Sequence, residues 1–457
     1  MTKLTSALAI LALAGIALLA QCTGSRTQLT IHTTEVSLGN SRPGMDEESL
    51  VASPDNKRVA YRVHLGAKWS VVVDGVAGRR YDGIGAGPIF SPHSTRVAYT
   101  ATRGDKWSVV VDGREGKEYA GIGAGALTFS PDSTRVAYTA TRGGKWFVVV
   151  DGGEGREYDW IGRPLFSPDS GRVAHVATQG GKRFVVVDGG EGKEYDGIGG
   201  LLFSPDSRRV AYAATRGGKR LVVVDGREGK GYDRIGGLLF SPDSRRVAYA
   251  ATRGGKRFVV VDGGEGKEYD GIGGLLFSPD STRVAYAATR GGRGLVVAGS
   301  VESEDYRGIL GMAFSPDSRR MAYGAGESDK QFVVVDGVRG KEYDRISGGP
   351  IFSSDSRRVV YNALRGDKEF VVVDGVEGKE YDVVSFPVFS PDNRWVAYQA
   401  AWRGKWSVVV DEVECAEYDC ALRGSAVVFD GPTALHVLVG RGNEFLRVDV
   451  VLEWRNN

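Results

Sequence analysis

The stretch LLFSPDSRRVAYAATRGGKRLVVVDGREGKGYDRIGG, Leu201 to Gly237, is copied end to end along the chain. Its Phe stands at Phe90, Phe129, Phe166, Phe203, Phe240, Phe277, Phe314, Phe352 and Phe389, with Ala52 and Phe429 as divergent first and last members. A fixed period in the high thirties marks a repeat architecture, in which each unit is one small supersecondary element. Within the unit, apolar runs alternate with turn chemistry. Leu201 to Phe203 is stopped by Ser204-Pro205-Asp206-Ser207, since Pro presets one turn dihedral while Asp and Ser bond the local backbone. Val210 to Thr215 follows, and Gly217-Gly218 supplies the positive backbone angles of a tight hairpin. Leu221 to Val224 is apolar at every position, as suits a strand covered on both faces. Asp225-Gly226 turns the chain again, and Gly231 to Ile235 alternates, which predicts an outer, half-exposed strand.

A sheet of about four short strands cannot bury both faces alone, so each unit has to pack on its neighbours. Stacking in a circle satisfies both faces and leaves only short edges. That arrangement is an all-β propeller. The units number about eleven, above the usual four to eight per ring. One large ring, two rings and an open stack all remain compatible with this count, and the best candidate boundary is Arg293 to Gly311, where Val-Val-Val-Asp-Gly degrades to Val296-Val297-Ala298-Gly299.

Phe-Ser-Pro-Asp-Ser-x-Arg-Val-Ala-Tyr, at Phe203 to Tyr212 and Phe240 to Tyr249, resembles the Ser-Pro-Asp-Gly turn of WD-repeat-like propellers in TolB-type periplasmic proteins and prolyl oligopeptidases. The match covers most of the chain. Here Ser stands where that family usually has Gly, and Val-Val-Asp-Gly replaces the Trp-Asp ending of eukaryotic propellers. The resemblance implies a propeller fold and a role in protein assemblies, without naming a partner.

The chain opens with Lys3 and an apolar run from Leu8 to Ala20, a secretory leader pattern. Leu19-Ala20-Gln21-Cys22 then resembles a bacterial lipobox, with Gln21 departing from the small residue expected there. Lipidation of Cys22, cleavage after Ala20, or an uncleaved anchor all place the repeats outside the cytoplasm, in the cell envelope. Residues 1–21 are thus read as signal peptide, 22–46 as a tether and 47–457 as repeats. The tether contains Leu29 to Thr34, which alternates like a strand, while only three strands, Ala426 to Phe429, Ala434 to Val439 and Phe445 to Leu452, follow the last complete unit. The segment near Leu29 to Thr34 is therefore expected to complete the last sheet.

The formal net charge of +2 argues against a dedicated nucleic-acid binder. Repeated carboxylates such as Asp132, Asp169, Asp206, Asp243, Asp280 and Asp317 invite a calcium reading, but no unit concentrates them and Asp is a common turn former. His32, His64, His93, His175 and His436 show no metal-ligand spacing. No metal or other cofactor is expected. There is no nucleophile elbow, phosphate loop or appended catalytic domain, so an enzyme is not expected. Cys415 and Cys420 form a candidate disulfide in an oxidising envelope, although five residues of extended strand span ~16 Å, far beyond the limit of about 7 Å between bridged α-carbons.

The most informative variation lies at the entry to the third strand. Unit by unit it reads Trp69, Trp107, Trp146, then Arg183, Arg220, Arg257, then Gly294, Gln331, Glu369, and returns to Trp406. In a closed ring the aromatics form one arc and the arginines another, and both residue types anchor protein interfaces. Recent copying of neighbouring repeats, with Trp covering unit edges, accounts for the same pattern. The function read from these features is an envelope-anchored platform for protein partners. The alternative is a glycan or small molecule held in the central channel.

Overall fold

The computed structural model describes residues 29–454. Among them lie eleven antiparallel sheets and one 3-10 turn, Glu47–Ser49. The sheets are numbered here as blades 1 to 11, from the one opening with Val51–Ala52 to the one opening with Cys420–Ala421.

Blade 5 shows the pattern. Gly197–Phe203, Val210–Arg216, Lys219–Val224 and Arg227–Glu228 lie side by side in that order. Gly217 and Gly218 have φ of +55° and +79°, and Asp225 and Gly226 have +50° and +77°, so both hairpins turn through left-handed residues that match the strand twist. One expectation needs correction. The outer strand is not Gly231 to Ile235. Tyr232 exchanges both backbone hydrogen bonds with Arg220 (2.7 and 2.8 Å), and one residue later the Asp233 N–H donates to Thr252 O of blade 6. The chain changes sheet between those two residues, and Ile235 belongs to Arg234–Phe240, the first strand of the next blade. That strand carries a bulge between Gly236 and Leu239, as Gly197–Phe203 does between Gly199 and Leu202. First strands of successive blades crowd together at the axis: a Cβ on Gly311 would lie 2.7 Å from Gly349 Cα.

The apolar residues collect in eleven clusters, each shared by two adjacent blades. Between blades 5 and 6, Val222 and Tyr232 meet Phe240, Tyr249 and Phe258. Val59, Tyr61 and Val72 of blade 1 share a cluster with Leu438 and Phe445 of blade 11, so the cycle closes into one ring of eleven. The stretch 293–311 feeds the seams on both its sides, through Leu295 and Val297 on one and Val296 and Tyr306 on the other.

In blade 11 the outer strand is Leu29–Asn40, running antiparallel to Glu444–Trp454 with Leu29 opposite Trp454 and Ser37 opposite Leu446. Its Glu35 repeats the wiring of the internal blades. Both Arg441 terminal nitrogens donate to Glu35 at 2.7 Å and the Tyr418 hydroxyl donates at 2.9 Å, as Arg216 and Tyr195 do to Glu228 (2.7, 2.8 and 2.9 Å). The Arg441 hydrogen bonds hold the Glu35 carboxyl below its ordinary range.

The Phe-Ser-Pro-Asp-Ser-x-Arg motif is a clamp between blades. Arg209 Nε donates to Asp225 Oδ2 of its own blade at 2.9 Å, and its Nη1 reaches Ser244 O (3.0 Å) and Arg245 O (2.9 Å) of blade 6. Its guanidinium carbon lies 5.2 Å from the Phe240 ring centroid. Ser207 sits at φ +66°, a region that costs a residue with a Cβ roughly 1 kcal/mol. Its Oγ accepts the Asp169 N–H of blade 4 at 2.8 Å, which a Gly there would not do. Where the clamp residues change, other side chains take over. Trp395 replaces the Arg in blade 10 and packs with Val427 and Leu435 of blade 11. His436, 1% exposed, lies between the Asp430 carboxylate and the Asp55 carbonyl of blade 1, 2.6 Å from each.

Ser207→Ala is expected to lose the seam hydrogen bond while keeping the backbone strain, destabilising the ring by about 1–3 kcal/mol. Ser207→Gly loses the bond but relaxes the backbone, and is expected to be milder by up to about 1 kcal/mol. Equal urea midpoints for the two variants would show that the left-handed position carries no strain.

Candidate interaction surfaces

The entry residue of each third strand faces the following blade, on the side occupied by the hairpins between second and third strands. Trp69, Trp107, Trp146 and Trp406 stand in blades 1, 2, 3 and 10, and all four are half-buried. Trp146 packs against the seam between blades 3 and 4, with Tyr158 and Ile161. Trp107 covers Gly85, where an added Cβ would lie 2.5 Å from the indole Cζ3. Trp69 lies 4.8 Å from the His64 ring and 6.0 Å from the Arg62 guanidinium carbon. Trp146 thus closes onto a seam, while Trp69 and Trp107 lie over their own blades.

Arg183, Arg220 and Arg257 occupy the same position in blades 4, 5 and 6 and are exposed. The preceding lysines are all paired: Lys182 with Asp196 (2.7 Å), Lys219 with Asp233 (2.6 Å) and Lys256 with Asp270 (2.8 Å). Among the described residues the three arginines enter no ion pair. In blades 8 and 9 the equivalent residues are acceptors, Gln331 Oε1 taking the Ile346 N–H at 2.8 Å and Glu369 Oε2 taking the Val384 N–H at 3.0 Å. The position therefore reaches the first strand of the next blade. At Arg183 and Arg220 it delivers donors there.

A cavity of about 320 Å³ lies between Arg183 and Arg220, floored by Gly197, Gly199, Gly200 and Gly236. Arg183 and Ile198 also line a second cavity, of about 520 Å³, that holds Trp160, Arg163 and Leu165. Trp160 is 47% exposed, with the Arg183 guanidinium carbon 5.8 Å from its ring centroid. Sequence reasoning passed over Trp160. The available signal was Asp159-Trp160-Ile161-Gly162 set against Asp196-Gly197-Ile198-Gly199.

On the outer edge, Val301, Val338 and Val376 open the outer strands of blades 7, 8 and 9 and are 69%, 72% and 70% exposed. No apolar periodicity marks them in the sequence, because each opens a two-residue strand directly after a turn.

The repeated carboxylates are engaged locally. Asp206 Oδ1 accepts from the Ser204 hydroxyl (2.6 Å) and the Arg208 N–H (3.1 Å), and these bonds keep its carboxyl below the usual range. Asp225 serves the Val210 N–H and Arg209. Among the described residues no group of three or more His, Cys, Asp or Glu is placed to hold a metal ion. The candidate disulfide needs correction: no bond joins Cys415 and Cys420. Cys415 is buried in the seam between blades 10 and 11. Cys420 begins the first strand of blade 11, its Sγ over Gly440. The intervening chain stays extended and crosses from one sheet to the next. Cys22 lies outside the described residues.

His175 takes the second-strand position held by Tyr138 and Tyr212 in neighbouring blades. It is 8% exposed and borders a cavity of about 350 Å³ between blades 3 and 4. Burial lowers its pKa to about 4.

No family model matches the chain, and no curated protein matches it. Solved structures similar to it include a eukaryotic initiation factor, at 11% identity and a TM-score of 0.42, covering 79% of this chain and 96% of that one. The Dos1 propeller is 13% identical, with a TM-score of 0.35 over 70% of this chain and 91% of that one. TolB from Acinetobacter baumannii is 16% identical, with a TM-score of 0.25 over 48% of this chain and 64% of that one.

Because the unfolded chain protonates His175 near pH 6.5 and the folded ring only near 4, stability falls as pH drops through that window, by up to about 3 kcal/mol. His175→Tyr is expected to remove this loss. Parallel stability-versus-pH curves for the two proteins, from denaturant titrations at pH 7 down to 4, would contradict it.

Proposed function

We propose that the protein is an exported, lipid-anchored propeller that acts as a non-enzymatic docking platform for protein partners in the cell envelope. Its anchor is Cys22, preceded by the apolar leader Leu8 to Ala20. The observation that carries the platform reading is the row of exposed valines, Val301, Val338 and Val376, on three successive blades. Exposed apolar side chains on the outer edges of three successive blades are the kind of surface a protein partner covers. The closed ring adds rigidity, so that docking residues are held in place before a partner arrives.

The triple change Val301→Asp, Val338→Asp and Val376→Asp is expected to leave the melting temperature within a few degrees, since each side chain is solvent-exposed on an outer strand. Crosslinking in native membranes followed by mass spectrometry is expected to recover a defined protein set with the parent chain and to lose it with the triple variant. Recovery of the same set by both would refute the rim surface. Separately, Cys22→Ala is expected to move the protein from the membrane to the soluble fraction. Unchanged membrane retention would refute the lipid anchor.

A further inference from the structure

The two joined cavities on the axial side of blades 3 to 6 form one groove. Its lining includes Arg163, Arg183 and Arg220 and no Asp or Glu. In a chain whose charges nearly cancel, and whose neighbouring lysines are each neutralised by an aspartate, unpaired guanidiniums in a concave wall are a specific feature. Arg183 and Arg220 stand one blade apart, which matches a ligand that repeats its negative charge along its length. Beside Arg183, on the side away from Arg220, Trp160 offers an exposed ring and Leu165 an apolar neighbour. Between Arg183 and Arg220 the floor is glycine, so a bulky ligand can lie close to the backbone.

We propose that this groove binds an acidic glycan, with carboxylate-bearing sugars bonded to Arg183 and Arg220 and a sugar face resting on Trp160. Guanidinium forks match carboxylates in charge and geometry, and an aromatic face accepts the apolar side of a flat ring. An acidic peptide fits less well. A peptide strand would have to extend the free edge of a first strand, and the bulges at Gly199/Leu202 and Gly236/Leu239 break that edge in both blades. The groove also runs across the strands, from blade to blade. This site lies on different blades from the valine rim and does not rest on the platform reading.

The test is calorimetric titration of the full chain with a short oligomannuronate, a neutral oligosaccharide of equal length, poly-glutamate and a single-stranded oligonucleotide. Binding of the oligomannuronate is expected to weaken as salt rises. The double variant Arg183→Gln, Arg220→Gln is expected to lower the affinity at least about tenfold, Trp160→Ala to lower it several-fold, and Arg114→Gln on the outer edge to leave it unchanged. The proposal is overturned if the oligomannuronate does not bind, if the neutral sugar, poly-glutamate or the oligonucleotide binds as well, or if the double variant binds like the parent.

Discussion

Each blade has apolar side chains on both faces and only four or so short strands to hide them, so it is stable only when pressed between two others. Everything regular in this chain serves that contact. The apolar third strand, Lys219–Val224 in blade 5, contributes Val222 to one seam and Leu221 and Val223 to the other, because alternate side chains leave a strand on opposite sides. The apolar contact is undirected, however, and permits neighbouring sheets to slide. The polar clamp removes that freedom: Arg209 spans Asp225 and the next turn's carbonyls, Ser207 receives the preceding turn's N–H, and Tyr195 reaches Glu228. Each is modest in net energy. Repeated around a ring with no free end, they fix the relation of every blade to the next.

Closure is the one seam the repeat cannot supply by copying, and its residues differ accordingly. Trp395 stands in place of a clamp arginine on one side of blade 11, His436 reaches the Asp55 carbonyl on the other, and Asn56 Nδ2 bonds Ala426 O across the junction. The Leu29–Asn40 strand brings its own Glu35 to meet Tyr418 and Arg441, so the two ends of the chain are joined by the same interactions that join internal strands.

With the seams held by a fixed set of residues, other positions differ from blade to blade. The third-strand entry shows how much one such position alters. A Trp folds over its own sheet, as Trp107 does over Gly85. An acceptor, Gln331 or Glu369, caps the neighbouring N–H. An Arg does neither, and leaves a slot lined by donors. The surface therefore divides into arcs of different chemistry on a backbone that barely changes.

The repeat, its turns and its hairpins were legible in the amino-acid sequence because they are local. Gly217-Gly218 and Asp225-Gly226 specify their turns within a few residues, and a unit unable to cover itself implies a neighbour on each side. The strand missing near the C-terminus, and the alternating segment from Leu29 that fills it, were legible for the same reason. Residues that act across a seam were not. The end of the outer strand at Tyr232 depends on a bond to Arg220, the Ser at 207 is explained by an amide in another blade, and Trp160 and the exposed valines matter only for what lies beside them in the ring. The number of blades in the circle was likewise decided by tertiary structure, since the wedge between sheets depends on side chains that two neighbouring units pack together at each seam and no single unit contains it.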